Sequence, residues 1–425
     1  MRIAIVGSGI SGLGAAHALA RDADVTLYEA EGRLGGHTNT VDVTLDRISH
    51  PVDTGFLVFN ERTYPNLIRL FDELAIPTAK SDMSFAVSVA LASGRRLEWA
   101  GTNLGATFAQ RRNLVSPRFI SMLADIVRFN RQATRIALGE PLPETLSLGA
   151  FLDRHRYGPA FRRWYLLPMA AAIWSCPMAT MLEYPLATFV RFCHNHGLLQ
   201  VSGRPQWYTV AGGARQYVRR IASGLRNVRV GDPVLEVRRQ PGSGRVLVRS
   251  RGGVAMYDEV VLACHSDQSL ALLADADAEE RATLSSVRYQ ANRALLHVDP
   301  RLMPRERRVW SAWNYLSDGA NDPQVSVTYL LNKLQPLPFR TPLLLSLNPL
   351  TEPAPESTIA KFDYTHPIFD QAAIDAQQGL AEIQGRRQVW FAGAWTGYGF
   401  HEDGLSSGLA VAAGIRRREP QRRAA

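Results

Sequence analysis

An α/β fold is predicted by three features of the N-terminal segment. Arg2 to Val6 is an apolar stretch of strand length. Gly7-Ser8-Gly9-Ile10-Ser11-Gly12 follows it with GxGxxG spacing. Asp24 to Tyr28 is a second such stretch, and it closes on Glu29. Gly7 allows a tight turn, Gly9 lets the backbone approach a pyrophosphate, and Gly12 permits close contact between helix and strand. Leu13 to Ala20 reads as an Ala-rich helix. The unpaired N–H groups at its start, with Ser8, Ile10 and Ser11 in the turn, face phosphates. Glu29, followed by Ala30, is placed to accept hydrogen bonds from ribose hydroxyls and to repel a 2′-phosphate. A glycine-rich helix cap explains the glycines alone, whereas strand, spacing and acid together favour a dinucleotide. The same segment has the basic start and apolar middle of a secretion signal, but such a signal needs neither the three glycines nor a second strand ending in an acid.

Arg33-Leu34-Gly35-Gly36-His37-Thr38 comes next. Gly7 to Ala16, Glu29, Arg33, Gly35 and Gly36 match a GxGxxGLxxA, acid, RxGG signature position by position. On those residues the chain resembles the flavin amine oxidase and phytoene desaturase superfamily. The resemblance implies FAD as cofactor. It implies that Gly35 and Gly36 carry the backbone past pyrophosphate and flavin, and that Arg33 supports the ribose and pyrophosphate end. Pro51-Val52-Asp53-Thr54-Gly55-Phe56 is similar to the family's Asp-x-Gly stretch beside the flavin ring. A turn before the helix at Tyr64 to Leu74 explains the same residues structurally, and both readings stay open. The strand through Val234 resembles the family's adenine-side strand, with the Val234 backbone against the adenine. Tyr257 to Cys264 resembles the strand that ends near the same ring, at Ala263.

At the C-terminus, Val389 to Gly393 is a strand running into a glycine, and Leu405 to Ile415 is a helix of small residues. Glu402, Leu405, Ser407 and Gly408 match the family's E-G-A-x-x-S-G helix start. Asp403 and Gly404 replace its glycine and alanine, and Ala394 stands where an acid commonly holds the ribityl chain. The resemblance places Gly393, Ala394 and the amides of Asp403, Gly404, Leu405 and Ser406 against the flavin. Peptide dipoles there would stabilise an anionic reduced ring. Glu402 and Asp403 cap the helix or move protons, with capping the favoured reading. His401 is an acid/base or a wall of the site.

The expected architecture is a Rossmann-type FAD-binding domain with an interleaved α+β substrate domain, amine-oxidase-like. The FAD domain is discontinuous, at 1–80, 206–285 and 386–425, and 81–205 with 286–385 form the substrate domain. Residues 111–137 read as an amphipathic helix begun by Pro117, with Phe119, Ile120, Leu123, Ile126 and Val127 on one side and Arg118, Arg128, Arg131 and Arg135 largely elsewhere. Such a stripe fits an ordinary core with a solvated outer face, or contact with an anionic membrane. In Cys193-His194-Asn195-His196 the histidines fall at a helix end between Pro185 and Gly197, where they oppose the dipole, so no metal site is read there. The three cysteines are far apart and form no CxxC, which fits a reducing compartment. Cytoplasm is the expected location, with the inner face of the cell membrane as the alternative. The net charge of +9 is nearly all arginine, and no nucleic-acid-binding pattern accompanies it.

The GYGFHEDG, WSCP and RPQWYTVAGG runs narrow the resemblance to FAD-binding oxidoreductases encoded beside cyclopropane fatty acyl phospholipid synthases, a branch that includes a desaturase of methyl-branched acyl chains. That implies desaturation of an acyl chain of a membrane lipid, by hydride transfer to flavin N5. Tyr398, His401, Glu402 and Lys333 are the candidate catalytic residues, and Trp313, Asn314 and Tyr329 lie on the substrate side. Amine oxidation, acyl double-bond isomerisation and a non-catalytic FAD-containing lipid-binding role are the alternatives. The electron acceptor stays open.

Overall fold

The computed structural model describes residues 1–141, 143, 146–174, 178–200, 203–319 and 326–424, with side chains as far as Arg418. Five strands form a parallel sheet: β1 (Arg2–Val6), β2 (Asp24–Glu29), β3 (Asn227–Val230), β4 (Glu259–Leu262) and β5 (Val389–Phe391). Their order is β3-β2-β1-β4-β5, so segments distant in sequence meet in one layer. β1, β2 and β4 are buried almost throughout, which is why they read as unbroken apolar runs rather than alternating ones.

The helices that matter for the site are α1 (Ile10–Leu19), α2 (Pro65–Glu73), α3 (Pro117–Ala137), α4 (Leu186–Asn195) and α5 (His401–Ala424). α1 follows β1 and α5 follows β5. Because the sheet is parallel, both helices begin at its carboxyl edge and their positive ends converge there. Their contact is close enough to need glycine: a Cβ on Gly14 would strike the Leu405 side chain, and one on Gly408 would strike the Ser11 carbonyl.

A seven-stranded sheet stands beyond that edge, in the order Thr358–Ile368, Arg288–His297, Leu344–Leu347, Ser326–Leu330, Trp313–Ser317, Phe85–Ala90 and Arg96–Ala100. All its pairings are antiparallel except that of Trp313–Ser317 with Phe85–Ala90. One apolar core runs from Ile3 and Leu13 to Phe189 and Tyr329, so the two sheets share an interior.

α3 begins at Pro117 behind a Ser116 cap, as the sequence predicts, but its faces are rotated from the prediction. Phe119, Met122, Phe129, Asn130 and Ala133 are its buried residues, while Ile120 and Val127 face outward. The large aromatics win the inner positions: Phe119 packs on Trp99 and Phe108, and Phe129 on Phe161 and Phe189 of α4. α4 ends at Gly197, in the left-handed region at φ 69°. The expected charge–dipole role of His196 does not hold, because burial pushes its pKa down to about 4 and the ring is neutral.

Candidate active site

At the carboxyl edge of the five-stranded sheet lies a deep cavity. One end is walled by Gly7 to Ser11, Glu29, Gly36, His37 and Ala263, and the middle by Thr54 to Phe56, Gly393 to Trp395, Tyr398 and His401. The far end is walled by Trp174, Phe192, His196, Trp207, Trp313 and Tyr329.

The first end is built as a pyrophosphate cradle. Gly9 caps α1 with extended backbone, and a Cβ added there would meet nothing within 4 Å: the residue faces open space. Glu29 accepts from the Ser8 amide at 3.0 Å, from the Ser8 hydroxyl, and from the Glu31 amide at 2.9 Å, so the acid ties the glycine turn to the end of β2. The Gly35 amide donates to both the Ser8 carbonyl and the Ser8 hydroxyl at 3.1 Å. Arg33 does not line the cavity. It donates to the Gly36 carbonyl at 2.9 Å and holds the double-glycine loop in place. Four buried nitrogens on the wall find no partner among the described residues: His37 Nε2 at this end, Trp395 Nε1 in the middle, and Trp174 Nε1 and Trp313 Nε1 at the far end. A bound group carrying ring and phosphate acceptors would satisfy His37 and Trp395. The chemistry of this end fits FAD, which would lie along Gly7 to Ser11, Glu29 and Gly36.

Several expected site residues stand elsewhere. Asp53 faces away from the cavity and caps the helix Arg215–Ser223, accepting the Ala214 amide at 3.0 Å and the Thr40 hydroxyl, and burial pushes its pKa up to about 6. Thr54, Gly55 and Phe56 do line the space, so the Asp-x-Gly stretch divides between the two readings. Thr38 lies behind the wall, bonded to Tyr217 and His401. Ala30, Gly12 and Val234 are not on the wall, and Val234 begins the strand Val234–Gln240.

α5 begins one turn earlier than predicted, at His401, and the Gly404 amide already donates to the Phe400 carbonyl at 3.1 Å. The free positive end is therefore at His401 to Asp403, and Gly404, Leu405 and Ser406 instead pack against α1 and α2. Asp403 folds back to accept the Phe400 amide at 2.9 Å. Burial raises its pKa to about 6.

Glu402 is not at the reaction centre, because its carboxylate caps a different helix. α2 starts with Pro65, which has no N–H, and Glu402 accepts the next two amides, Asn66 at 2.9 Å and Leu67 at 3.0 Å, plus the Asn66 side chain at 2.8 Å. Lys333 pairs with Asp82 at 3.1 Å and lines nothing. Asn314 is fully buried, bonded to Ser311 and Thr328.

His401 is on the wall, stacked on Phe56 with centroids 3.9 Å apart, and its Nε2 lies 3.1 Å from the Thr38 hydroxyl and 2.9 Å from that of Tyr217. Burial pushes its pKa down to about 3, so it is a neutral strut. Tyr398, Trp313 and Tyr329 are on the wall as expected, the last two edge-to-face at 4.7 Å.

Trp174, Phe192, His196 and Trp207 were not foreseen as wall residues. Trp174 and Trp207 belong to runs that the sequence marks as distinctive, and of Trp174-Ser175-Cys176-Pro177 only the first lies within the described residues. His196 stacks on Phe192 at 3.9 Å and on Trp207 at 6.2 Å. Its Nδ1 lies 3.0 Å from the Phe192 carbonyl, which makes Nδ1 the protonated nitrogen and leaves the lone pair on Nε2. Among the described wall residues the only carboxylate is Glu29, at the cofactor end.

Solved structures of the same fold share almost the whole chain. Putrescine oxidase bound to putrescine superposes with a TM-score of 0.69 at 16% identity, covering 98% of this chain and 100% of that one. Cyclohexylamine oxidase from Brevibacterium oxydans gives 0.67 at 17%, covering 98% and 99%. A fatty acid isomerase from P. acnes that produces CLA gives 0.67 at 14%, covering 98% of each chain. No curated protein matches the sequence. Residues 10–299 match the family described as flavin containing amine oxidoreductase. With the glycine cradle, that match makes the chain an FAD-dependent oxidoreductase, a member of the flavin-containing amine oxidoreductase family.

Proposed function

We propose that the protein desaturates an acyl chain of a membrane phospholipid, at or beside a methyl branch. The observation that carries this reading is the chemistry of the far end of the cavity. Trp174, Phe192, Trp207, Trp313 and Tyr329 enclose it, with Met83, Ile173 and Leu345 between them, and no described side chain there carries a negative charge. A cationic amine would shed its hydration shell in this space with no carboxylate to replace it, whereas an acyl chain loses only unfavourable contact with water. The resemblance to oxidoreductases encoded beside cyclopropane fatty acyl phospholipid synthases points to the same substrate class.

Bound in the cradle, FAD supplies a hydride acceptor for a C–H bond. The aromatic walls hold the chain and exclude water. His196 Nε2 takes the proton from the adjacent carbon, leaving a double bond, and a tertiary carbon at a branch eases loss of hydride by stabilising positive charge. His37 and His366, tilted against one another with centroids 5.3 Å apart, are neutral at physiological pH, burial having pushed their pKa values to about 3 and 4. They add no charge that would repel the hydride donor.

The test is anaerobic incubation of the holoprotein with a methyl-branched phosphatidylglycerol, recording the flavin absorbance and then the lipid mass. Bleaching of the flavin with a product two hydrogens lighter is expected. Bleaching by primary amines and not by the lipid would overturn the reading. A product of unchanged mass would favour the isomerase alternative, which uses the same pocket.

A further inference from the structure

We propose that the outward face of α3, with the turn before it, docks on an anionic lipid bilayer. A surface helix ordinarily shows acids and lysines to water. The outward residues of α3 are Arg118, Ile120, Val127, Arg131 and Arg135, with Leu138 just past its end. The helix has a single acid, Asp125, and it is turned inward, accepting the Gly158 amide at 3.0 Å and pairing with Arg128. Arg128 in turn lies over the Tyr157 ring at 4.0 Å. Past the helix end the exposed Glu140 pairs with Arg135 at 3.6 Å; from Arg118 to Arg131 the outward face is apolar and cationic.

The turn before α3 extends this face. Leu114 is 55% exposed, Val115 82% and Ile120 45%, and the exposed Arg111, Arg112 and Arg118 flank them along the chain. Val115 and Ile120 occupy the positions on either side of the Ser116 cap at which two apolar side chains usually staple a helix start. Here the staple is open to solvent. From Gly101 to Ala124 the chain has no Asp or Glu at all. Apolar tips among arginines, with the nearest exposed acid along the chain only at Glu140 beyond the far end of the helix, match the headgroup and acyl boundary of an anionic membrane.

A second copy of the chain is a poorer occupant. Two-fold self-pairing of this face would press one arginine-bearing face against another, and like charges in apposition oppose association. The docking inference stands independently of the desaturation reading, because it concerns a surface and not the cavity. If both hold, the membrane presents the substrate.

The test is co-sedimentation of the flavin-loaded protein with vesicles of phosphatidylcholine alone and of phosphatidylcholine with phosphatidylglycerol. Two double variants, Val115→Asp with Ile120→Asp and Arg118→Gln with Arg131→Gln, are compared with it. All four side chains are exposed, and the flavin spectrum reports an intact fold. The expected result is partition onto the anionic vesicles that weakens with salt. The aspartate pair should lower it by about tenfold or more, and the glutamine pair by roughly fivefold per charge removed. Failure to bind either vesicle, or binding that neither double variant changes, would overturn the proposal. So would an aspartate pair that dissolves an oligomer and leaves vesicle partition untouched.

Discussion

His196 is a histidine whose tautomer is set by the helix that carries it. The Phe192 carbonyl takes the Nδ1 proton, the surrounding rings keep the imidazole neutral, and Nε2 is left as a lone pair in an aromatic enclosure. His196→Gln should lower kcat by about a hundredfold while flavin content stays unchanged, as checked by single-turnover reduction against the absorbance ratio of the purified protein. Glu402 makes the opposite prediction. Its oxygens hold the amides at the start of α2, so Glu402→Gln should lower unfolding stability by about 1–2 kcal/mol and spare the rate of flavin reduction at low temperature. Equal loss of rate and stability in this variant would contradict the assignment. Lys333→Met should change neither. The sequence named Glu402 and Lys333 and passed over His196, because a side chain has the same letter whether it faces a ligand or, as Glu402 does, a helix 336 positions away.

Among the elements, the two helix starts at the carboxyl edge of the sheet define the cofactor end. Glycines at α1 have distinct tasks there, which a pair of variants can separate. A side chain at Gly9 enters open cavity, whereas one at Gly12 meets backbone. Gly9→Val should therefore fold with an unchanged circular dichroism spectrum and purify colourless, and Gly12→Val should fail to fold. A yellow Gly9→Val protein would contradict the cradle. These glycines were legible because their spacing encodes local backbone geometry within one turn. The start of α5 was legible only to within a turn: Phe400 and His401 look like loop residues in isolation, and the helix reaches back to them because Asp403 caps the Phe400 amide. The rotation of α3 was hidden for a similar reason, since periodicity offers two overlapping apolar stripes and only the partners of Phe119 and Phe129 decide between them.

Over the whole molecule, six histidines shielded from water set the response to acid, His265 among them with its pKa lowered by burial. Burial holds His37 and His401 at about 3 and His196, His297 and His366 at about 4, all below the ordinary 6.5. A histidine depressed in the fold binds its proton more readily when unfolded, so its stabilisation is full above pH 6.5 and is lost as pH falls toward 4. Asp53 and Asp403, raised to about 6, act in the opposite sense between pH 4 and 6, but they are two against six. Each histidine contributes ~1.4 kcal/mol per pH unit across its window. The thermal midpoint should fall steadily from pH 7 to pH 4.5 in a calorimetric series, and a rise would contradict the burial of these rings. The cofactor half of the molecule could be read from the sequence because its ligands are backbone groups in fixed motifs, whereas the substrate half is made of side chains from separate segments that only the seven-stranded sheet and α4 bring together. The account rests on an FAD cradle opening directly into an uncharged aromatic space, and the most direct measurement is a titration of the holoprotein's visible spectrum. A non-reacting acyl phospholipid should shift the flavin bands to saturation and a primary alkylamine should leave them unmoved; the reverse pattern would contradict the account.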